Sequence, residues 1–437
     1  MRYTHLLGFA LIVSILASCG GGGGGGGGGG VATTLNSNTQ TAASTCVLKS
    51  YSSSYPDSYL GTRPIPVATQ QFDATLNRMV GLKDYYPTDG ANGCASVQEY
   101  SRLLYANTLD KLKALGVDTV EIYQYGPVDN FNASTWAINE SNWQIPKSEL
   151  IWFVQAAHNK NIKVTLAWQL WPTDGSGNTI NTVNPTQAEM IKVLRGWKDI
   201  MNVMATLAAQ NGIDNLNIQW SAFYYPIVTT YPEVATQEFL SVISSIRSVF
   251  NGKLFMGTPR FFDQRIVSQV DAIIVPLSPQ GWTYADDSTM SVASLKERYS
   301  QQIANIYADF AAATGVTTQN TPIIWDFNIQ SRDKAISDGW VEDGFCISSV
   351  GGPIVAWGAP NCMQMNYTTD FSVQAQAIEG AFQAVNEQRY FKNYAVNFST
   401  GYWHTDTLIP SAEGFPNFSQ SIRGKPAETI VKKWFTR

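Results

Sequence analysis

The chain has 437 residues and is slightly acidic, with 29 Lys and Arg against 34 Asp and Glu and a net charge of −5 at pH 7. It carries no basic run before Lys432 and Lys433, which argues against nucleic acid as a partner. Hydrophobic residues make up 44% of the chain and aromatic residues 12%, so the chain can bury a large core.

The first residues are typical of an export signal. Residues 6–16 form an apolar run that follows Arg2 and is too short to span a bilayer. The run ends in Leu16-Ala17-Ser18-Cys19, which resembles the lipobox of bacterial lipoproteins. The resemblance implies a signal peptide over residues 1–18 and attachment to a membrane through a lipid on Cys19. An ordinary secretory signal is the alternative. Since residue 20 is Gly and not Asp, resemblance to the usual sorting rule implies the outer membrane of a bacterial cell envelope.

A glycine tract follows the cysteine. Residues 20–30 are all glycine, and residues 31–45 are rich in Thr, Ser, Asn and Ala. Such a composition cannot form a core and behaves as a flexible coil. We therefore expect residues 19–45 to be a linker and residues 46–437 to be the folded domain.

The remaining cysteines are Cys46, Cys94, Cys346 and Cys362. An even number suits disulfides in an oxidising compartment. Four cysteines allow three pairings, and we favour Cys46–Cys94 and Cys346–Cys362 because each closes a local loop. No Cys-x-x-Cys pair occurs and the chain has only three histidines, so we expect no metal site. No sequence feature implies a cofactor.

From about residue 76, short apolar runs alternate with amphipathic stretches. The runs predict strands at 79–82, 117–123, 162–168, 216–224, 254–257, 271–276, 322–327 and 393–398. The stretches predict helices at 97–115, 147–160, 185–211, 232–250, 262–270, 292–314, 371–388 and 426–435, the fifth of them weak. Eight strand-then-helix units predict a single (β/α)8 TIM barrel of class α/β. The rival, a doubly wound open sheet, lacks its glycine-rich phosphate fingerprint after the first strand.

Four segments resemble the retaining glycoside hydrolases of the large (β/α)8 clan, and most closely the family 113 β-mannanase-like group. They are 112–120, 150–164, 322–333 and 421–428, which together extend over most of the barrel. The resemblance implies hydrolysis of a glycan by two carboxylates, one at the end of strand seven and one at the end of strand four.

Both expected glutamates are replaced in this chain. Asp326 matches the nucleophile of strand seven, and Ser221 falls at or near the general acid/base of strand four. Asp is one methylene shorter than Glu, and a misplacement of about an ångström can reduce the rate on the order of 100-fold. A serine hydroxyl cannot cycle as proton donor and base at neutral pH.

Glycoside hydrolysis therefore needs a second carboxylate from elsewhere. We favour Asp287 or Asp286, since both lie in the loop after strand six and strand six neighbours strand seven. Glu121, inside strand two, is a further candidate.

Aromatic and amide side chains fall at the predicted C-terminal strand ends, where barrel enzymes carry their chemistry. Aromatic faces stack on sugar rings, and polar groups beside them bind hydroxyls. The residues expected to bind a polysaccharide or oligosaccharide are Trp168, Trp171, Gln219, Trp220, Ser221, Tyr224, Trp282, Trp325, Asn328, Arg332 and Trp403.

Three functions remain open from the sequence. The first is a surface-anchored glycoside hydrolase in which Asp326 is nucleophile or base and a loop aspartate donates the proton. The second is a degenerate barrel that binds glycan without cutting it, as Ser221 suggests. The third is a structural lipoprotein whose aromatics only pack.

Overall fold

A computed structural model describes the folded domain in fifteen stretches of chain. They are residues 46–48, 55–73, 75–82, 93–128, 143, 145–172, 186–219, 231–257, 263–277, 290–315, 322–336, 345–347, 354–356, 368–402 and 419–436. Of residues 125–128, 169–172, 219, 345–347, 354–356 and 399–400, only the backbone is described.

Eight parallel strands form a closed barrel. They are β1 (Arg78–Leu82), β2 (Thr119–Val128), β3 (Lys163–Pro172), β4 (Asn215–Gln219), β5 (Lys253–Gly257), β6 (Ala272–Pro276), β7 (Ile323–Phe327) and, after a hairpin, β10 (Tyr394–Tyr402). Neighbours in sequence are neighbours in the barrel, and β1 pairs with β10 to close it. This closing pair excludes the open sheet and confirms the predicted barrel.

Helices connect the strands along the outside of the barrel. They are α1 (Val97–Leu115), α2 (Lys147–His158), α3 (Gln187–Asn211), α4 (Pro232–Arg247), α5 (Gln264–Val267), α6 (Val292–Thr314), α7 (Phe371–Glu387) and α8 (Pro426–Phe435). The weak fifth helix is a single turn of four residues. None of the helices in the described stretches is both long and apolar enough to cross a bilayer.

Two parts of the fold differ from the sequence prediction. Strands β2 and β3 run to Val128 and Pro172, beyond the predicted ends, and pair with each other along their whole length. Between β7 and α7, where we expected a loop, β8 (Phe345–Ile347) and β9 (Ile354–Ala356) form an antiparallel hairpin. Cys346 lies in β8, but Cys362 is outside the described residues, so the second disulfide stays a prediction.

Local sequence explains where the helices begin and end. Ser96 accepts a hydrogen bond from the backbone of Glu99 and starts α1, as N-cap residues do. Gly116 ends α1 in the left-handed region with φ 91°. A Cβ at Gly116 would lie 2.6 Å from the carbonyl oxygen of Phe435, so glycine also lets the last helix approach α1.

Buried residues form two layers. The larger fills the space between barrel and helices, and the smaller lies inside the barrel near its floor. The inner cluster consists of Met79, Phe255, Ala272, Ile274, Ile324 and Ala395. Most of the side chains in this part of the barrel interior are therefore apolar.

The N-terminal segment of the domain runs along the outside of α7. Tyr55 packs edge-on against Phe371 at the beginning of α7, with ring centroids 4.9 Å apart. Further along, Phe72 packs against Phe382 at 4.9 Å and then leads into β1. Because α7 begins at the rim where the strands end, the chain enters the domain at that rim and descends to the floor.

A disulfide holds the start of this segment at the rim. Cys46 is bonded to Cys94, which confirms the first predicted pair. Cys94 lies just before Ser96, the N-cap of α1. The first described residues of the domain therefore lie at the C-terminal ends of the strands. Phe435, near the last residue, lies at the opposite face beside Gly116.

Candidate functional site

Asp326 points into the barrel near its C-terminal mouth. In β7 the side chains alternate, so that Trp325 and Phe327 pack outward against Phe391 and Phe382, while Ile324 belongs to the inner cluster. Asp326 shares the inward face with Ile324 and is partly exposed. Its Oδ1 accepts a hydrogen bond of 3.0 Å from Asn397 Nδ2 of β10.

The same amide nitrogen reaches a second carboxylate. Asn397 Nδ2 also donates to Glu121 Oε2 of β2, at 3.1 Å. The two hydrogens of an amide point about 120° apart, so the two accepting oxygens lie roughly 5 Å from each other. This separation is close to the roughly 5–5.5 Å of the carboxyl pair in retaining glycosidases.

Glu121 is fully buried and accepts two further hydrogen bonds. Tyr123 donates its hydroxyl to Oε2 at 2.6 Å, and Asn217 of β4 donates to Oε1 at 2.6 Å. Burial raises the pKa of Glu121 above its usual value, although hydrogen bonds from Tyr123, Asn217 and Asn397 oppose the rise. These three donors, a hydroxyl and two amides, are neutral groups.

The register of the strands arranges these residues in layers, as alternate strands contribute to each layer of a TIM barrel. One layer contains Glu121, Asn217, Ile274 and Asn397. The next layer toward the rim contains Asp326, Gly81, Ala167 and Gly257. Asp326 therefore has the largest side chain in its layer, and the other three positions hold nothing larger than a methyl group.

Three residues expected to bind sugar lie away from this interior. Trp168 is buried on the outer face of β3 and packs edge-on against Trp143, with centroids 5.2 Å apart. Trp325 packs outward against Phe391. Arg332 is fully buried and donates to Gln330 Oε1 at 3.2 Å and to the Asp333 carbonyl at 3.0 Å. Strand alternation turns the two tryptophans toward the helices, and burial removes Arg332 from the rim surface.

The remaining expected residues lie at the rim or outside the described stretches. Asn328 follows Asp326 by two residues and is partly exposed. Trp171 and Gln219 lie at the C-terminal ends of β3 and β4. The predictions that fall outside the described residues are Cys19, Trp220, Ser221, Tyr224, Trp282, Asp286, Asp287 and Trp403.

The sequence analysis missed two amides of the site. Asn217 and Asn397 each occupy an inward position of a barrel strand, and in β4 three polar residues alternate with Leu216 and Ile218. Polar residues at alternate positions of buried strands were the available signal. Glu121 was named as a candidate on its strand position, and the structure places it next to Asp326 through Asn397.

Comparisons by sequence gave no relatives: no protein-family model and no curated protein matches the chain. By structure, the barrel is similar to a GH113 β-1,4-mannanase in complex, with a TM-score of 0.53, 12% identity and coverage of 84% of this chain and 99% of that one. A second GH113 β-1,4-mannanase structure gives a TM-score of 0.51 at 12% identity, with the same coverage. The GH113 β-mannanase of Alicyclobacillus acidocaldarius has a TM-score of 0.48 and 14% identity, over 84% of this chain and 98% of that one.

At this level of identity the likeness shows the fold alone. The structural neighbours are GH113 β-mannanases and other (β/α)8 glycoside hydrolases, the group that the four sequence segments resemble.

Proposed function

We propose that this chain is a glycoside hydrolase of the bacterial cell envelope that acts on a polysaccharide or oligosaccharide, with Asp326 as nucleophile or general base. The observation that carries the proposal is the place of Asp326. It faces the barrel interior at the C-terminal end of β7, is partly exposed, and is held by Asn397 in a layer of otherwise small residues. Active sites of TIM-barrel enzymes lie at this end of the strands.

The proton donor is proposed to come from the segment after β6, with Asp287 or Asp286 as its carboxyl. Strand β6 pairs with β7 so that Pro276 lies beside Asp326, and the backbone N–H of Leu277 donates to the Asp326 carbonyl at 2.8 Å. The chain that leads to both aspartates therefore leaves the barrel next to Asp326.

With two such carboxyls, hydrolysis follows the general scheme for retaining glycosidases. Asp326 bonds to the anomeric carbon while the glycosidic C–O bond breaks and the donor protonates the leaving oxygen. Water then cleaves the sugar from Asp326 and restores both carboxyls. Since two of the structural neighbours are β-1,4-mannanases, β-mannans are the first substrates to examine.

Anchoring through Cys19 is part of the proposal. A flexible linker of residues 20–45 would extend over roughly 30 Å, which is about the radius of a domain of this length. Cys46–Cys94 fixes the end of this linker at the rim on which Asp326 opens. The attachment point supports action on glycans close to the anchoring membrane.

Binding without hydrolysis is the second candidate function. It is favoured by Ser221 at the expected acid/base position and by the complete burial of Glu121, which keeps that carboxyl from touching a substrate directly. Barrels can keep a groove and lose their chemistry.

The test is a glycan screen of the full chain, purified in detergent, for binding and for release of reducing ends. Wild type is compared with Asp326→Asn and with Asp309→Asn, a control at an exposed position of α6. We expect Asp326→Asn to lose at least about 100-fold in rate while the control retains wild-type activity. Binding by all three proteins without release would instead establish the second function. Absence of both binding and release would reject both functions.

A further inference from the structure

Glu121 is a carboxyl of the barrel interior that the proposed mechanism does not use. Its side chain is fully buried, and Tyr123, Asn217 and Asn397 donate to it. Of the described side chains that face it, the titratable ones are Tyr123 of β2 and Asp326 of β7. The other inward residues around it do not titrate: they are Met79, Gly81, Thr165, Ala167, Asn215, Asn217, Ala395 and Asn397.

Two ionised carboxylates on one amide would repel each other across a water-poor interior. The hydroxyl and the two amides that donate to Glu121 are neutral, so none of these three groups offsets the repulsion at Glu121. A single proton shared by the pair relieves it, as in other close carboxyl pairs. Burial decides where the proton lies, because desolvation penalises the charged form most at the more buried site. Glu121 is 0% exposed, whereas Asp326 is partly exposed.

We propose that Glu121 is a neutral carboxylic acid at neutral pH and, through Asn397, keeps Asp326 as the ionised carboxylate of the pair. Glu121 is then a positioning residue, since it acts on the substrate only through Asp326. Environments that separate the protonation of two neighbouring carboxyls define which is base and which is acid. The protonation state is independent of the proposed hydrolase function, whereas its use in catalysis rests on that function.

The direct test is infrared difference spectroscopy of the full chain in detergent at neutral pH. Subtracting Glu121→Gln from wild type is expected to reveal the carbonyl stretching band of a protonated carboxylic acid. The matched control is Glu149→Gln, a buried glutamate paired with Arg102, which should remove only carboxylate bands. Carboxylate bands without an acid band in the Glu121 difference would overturn the proposal.

A second measurement identifies the site without changing Glu121. In wild type labelled with 13C at the glutamate carboxyl, the acid band should shift with the label and disappear on raising the pH. In labelled Asp326→Asn, the neighbouring charge is gone, so the same band should disappear at a lower pH. An acid band that is missing, or that titrates identically in both proteins, contradicts the assignment even if Glu121→Gln fails to fold.

The catalytic consequence separates this inference from the proposed function. Gln mimics a neutral acid, so Glu121→Gln should keep activity near that of wild type with an unchanged pH profile, while Glu121→Ala should lose about 100-fold through misplacement of Asp326. An acid band together with no hydrolysis of any glycan would support the proposed protonation of Glu121 and reject the hydrolase function. Hydrolysis without the acid band would support the hydrolase function and reject the protonated Glu121.

Discussion

Two buried glutamates on opposite sides of the barrel wall have opposite surroundings. Glu121 lies inside the barrel among neutral hydroxyl and amide donors. Glu149 lies outside, in the first turn of α2, where Arg102 donates to both of its oxygens at 2.9 Å. Burial raises the pKa of Glu121. Burial also acts to raise the pKa of Glu149, but hydrogen bonds from Arg102 and Gln98 and the charge of Arg102 outweigh it, and the pKa is lowered.

The comparison shows that burial alone does not set the charge of a carboxyl. Both side chains are almost completely excluded from solvent, with 0% and 1% exposure. A bidentate guanidinium stabilises the ionised form outside the barrel. The neutral donors inside it also favour the ionised form, but desolvation outweighs them and the pKa of Glu121 is raised. The partners of a buried carboxyl therefore distinguish a structural ion pair from a carboxyl whose pKa is raised by burial.

The largest loss of unfolding free energy is expected when a further negative charge is placed inside the barrel. Asn397→Asp is nearly isosteric and puts a third carboxyl between Glu121 and Asp326. At neutral pH an uncompensated buried charge costs on the order of 4 kcal/mol of unfolding free energy. The loss should shrink as the pH falls and the carboxyls become protonated, and urea unfolding at several pH values measures it.

The control for this variant is Asn305→Asp, at an exposed position of α6. It should change the unfolding free energy by less than about 0.5 kcal/mol. If Asn397→Asp were equally mild at neutral pH, the interior would tolerate charge and the contrast with Glu149 would fail.

Removing the cation on the outside should have the next largest effect. Arg102→Ala leaves the buried Glu149 carboxylate without its guanidinium, and we expect a loss of about 3 kcal/mol in unfolding free energy. This expected loss is at the lower end of the range for broken buried ion pairs, because the Arg102 side chain is 38% exposed. Lys111→Ala, at an exposed position of the same helix, is the matched control. Equal losses of unfolding free energy in the two variants would show that the ion pair contributes no more to stability than an exposed lysine does.

The sequence predicted the barrel well because its pattern is repeated in every unit. Apolar runs of strand length alternated with capped helices, and α1, α6 and α8 have the predicted bounds. The Cys46–Cys94 bond was predictable for a similar reason, since it closes a local loop.

The site was harder to predict because its residues come from distant parts of the chain. Asp326 was found from a local motif, but its link to Glu121 depends on Asn397, which is 71 residues further along the chain. Which face a tryptophan occupies depends on the strand register, and an error of one residue reverses it. Trp168 and Trp325 accordingly pack outward, although their position near strand ends suggested the mouth.

The smallest expected effect is the most specific, because it has opposite signs for the two glutamates. A group with a raised pKa in the folded protein contributes stability below its unfolded value, here 4.5, and loses it as the pH rises toward the folded value. A group with a lowered pKa contributes stability above 4.5 and loses it as the pH falls.

Gln does not titrate, so Glu121→Gln should become more stable relative to wild type as the pH rises from 4.5. Glu149→Gln should become more stable relative to wild type as the pH falls below 4.5. Each slope can reach about 1.4 kcal/mol per pH unit, the limit for one proton. Unfolding free energies of the three proteins from about pH 2 to about pH 9, a range of about seven units that includes both windows, measure both slopes. If the two variants diverged from wild type in the same direction, the partners of the two glutamates would not govern their charge.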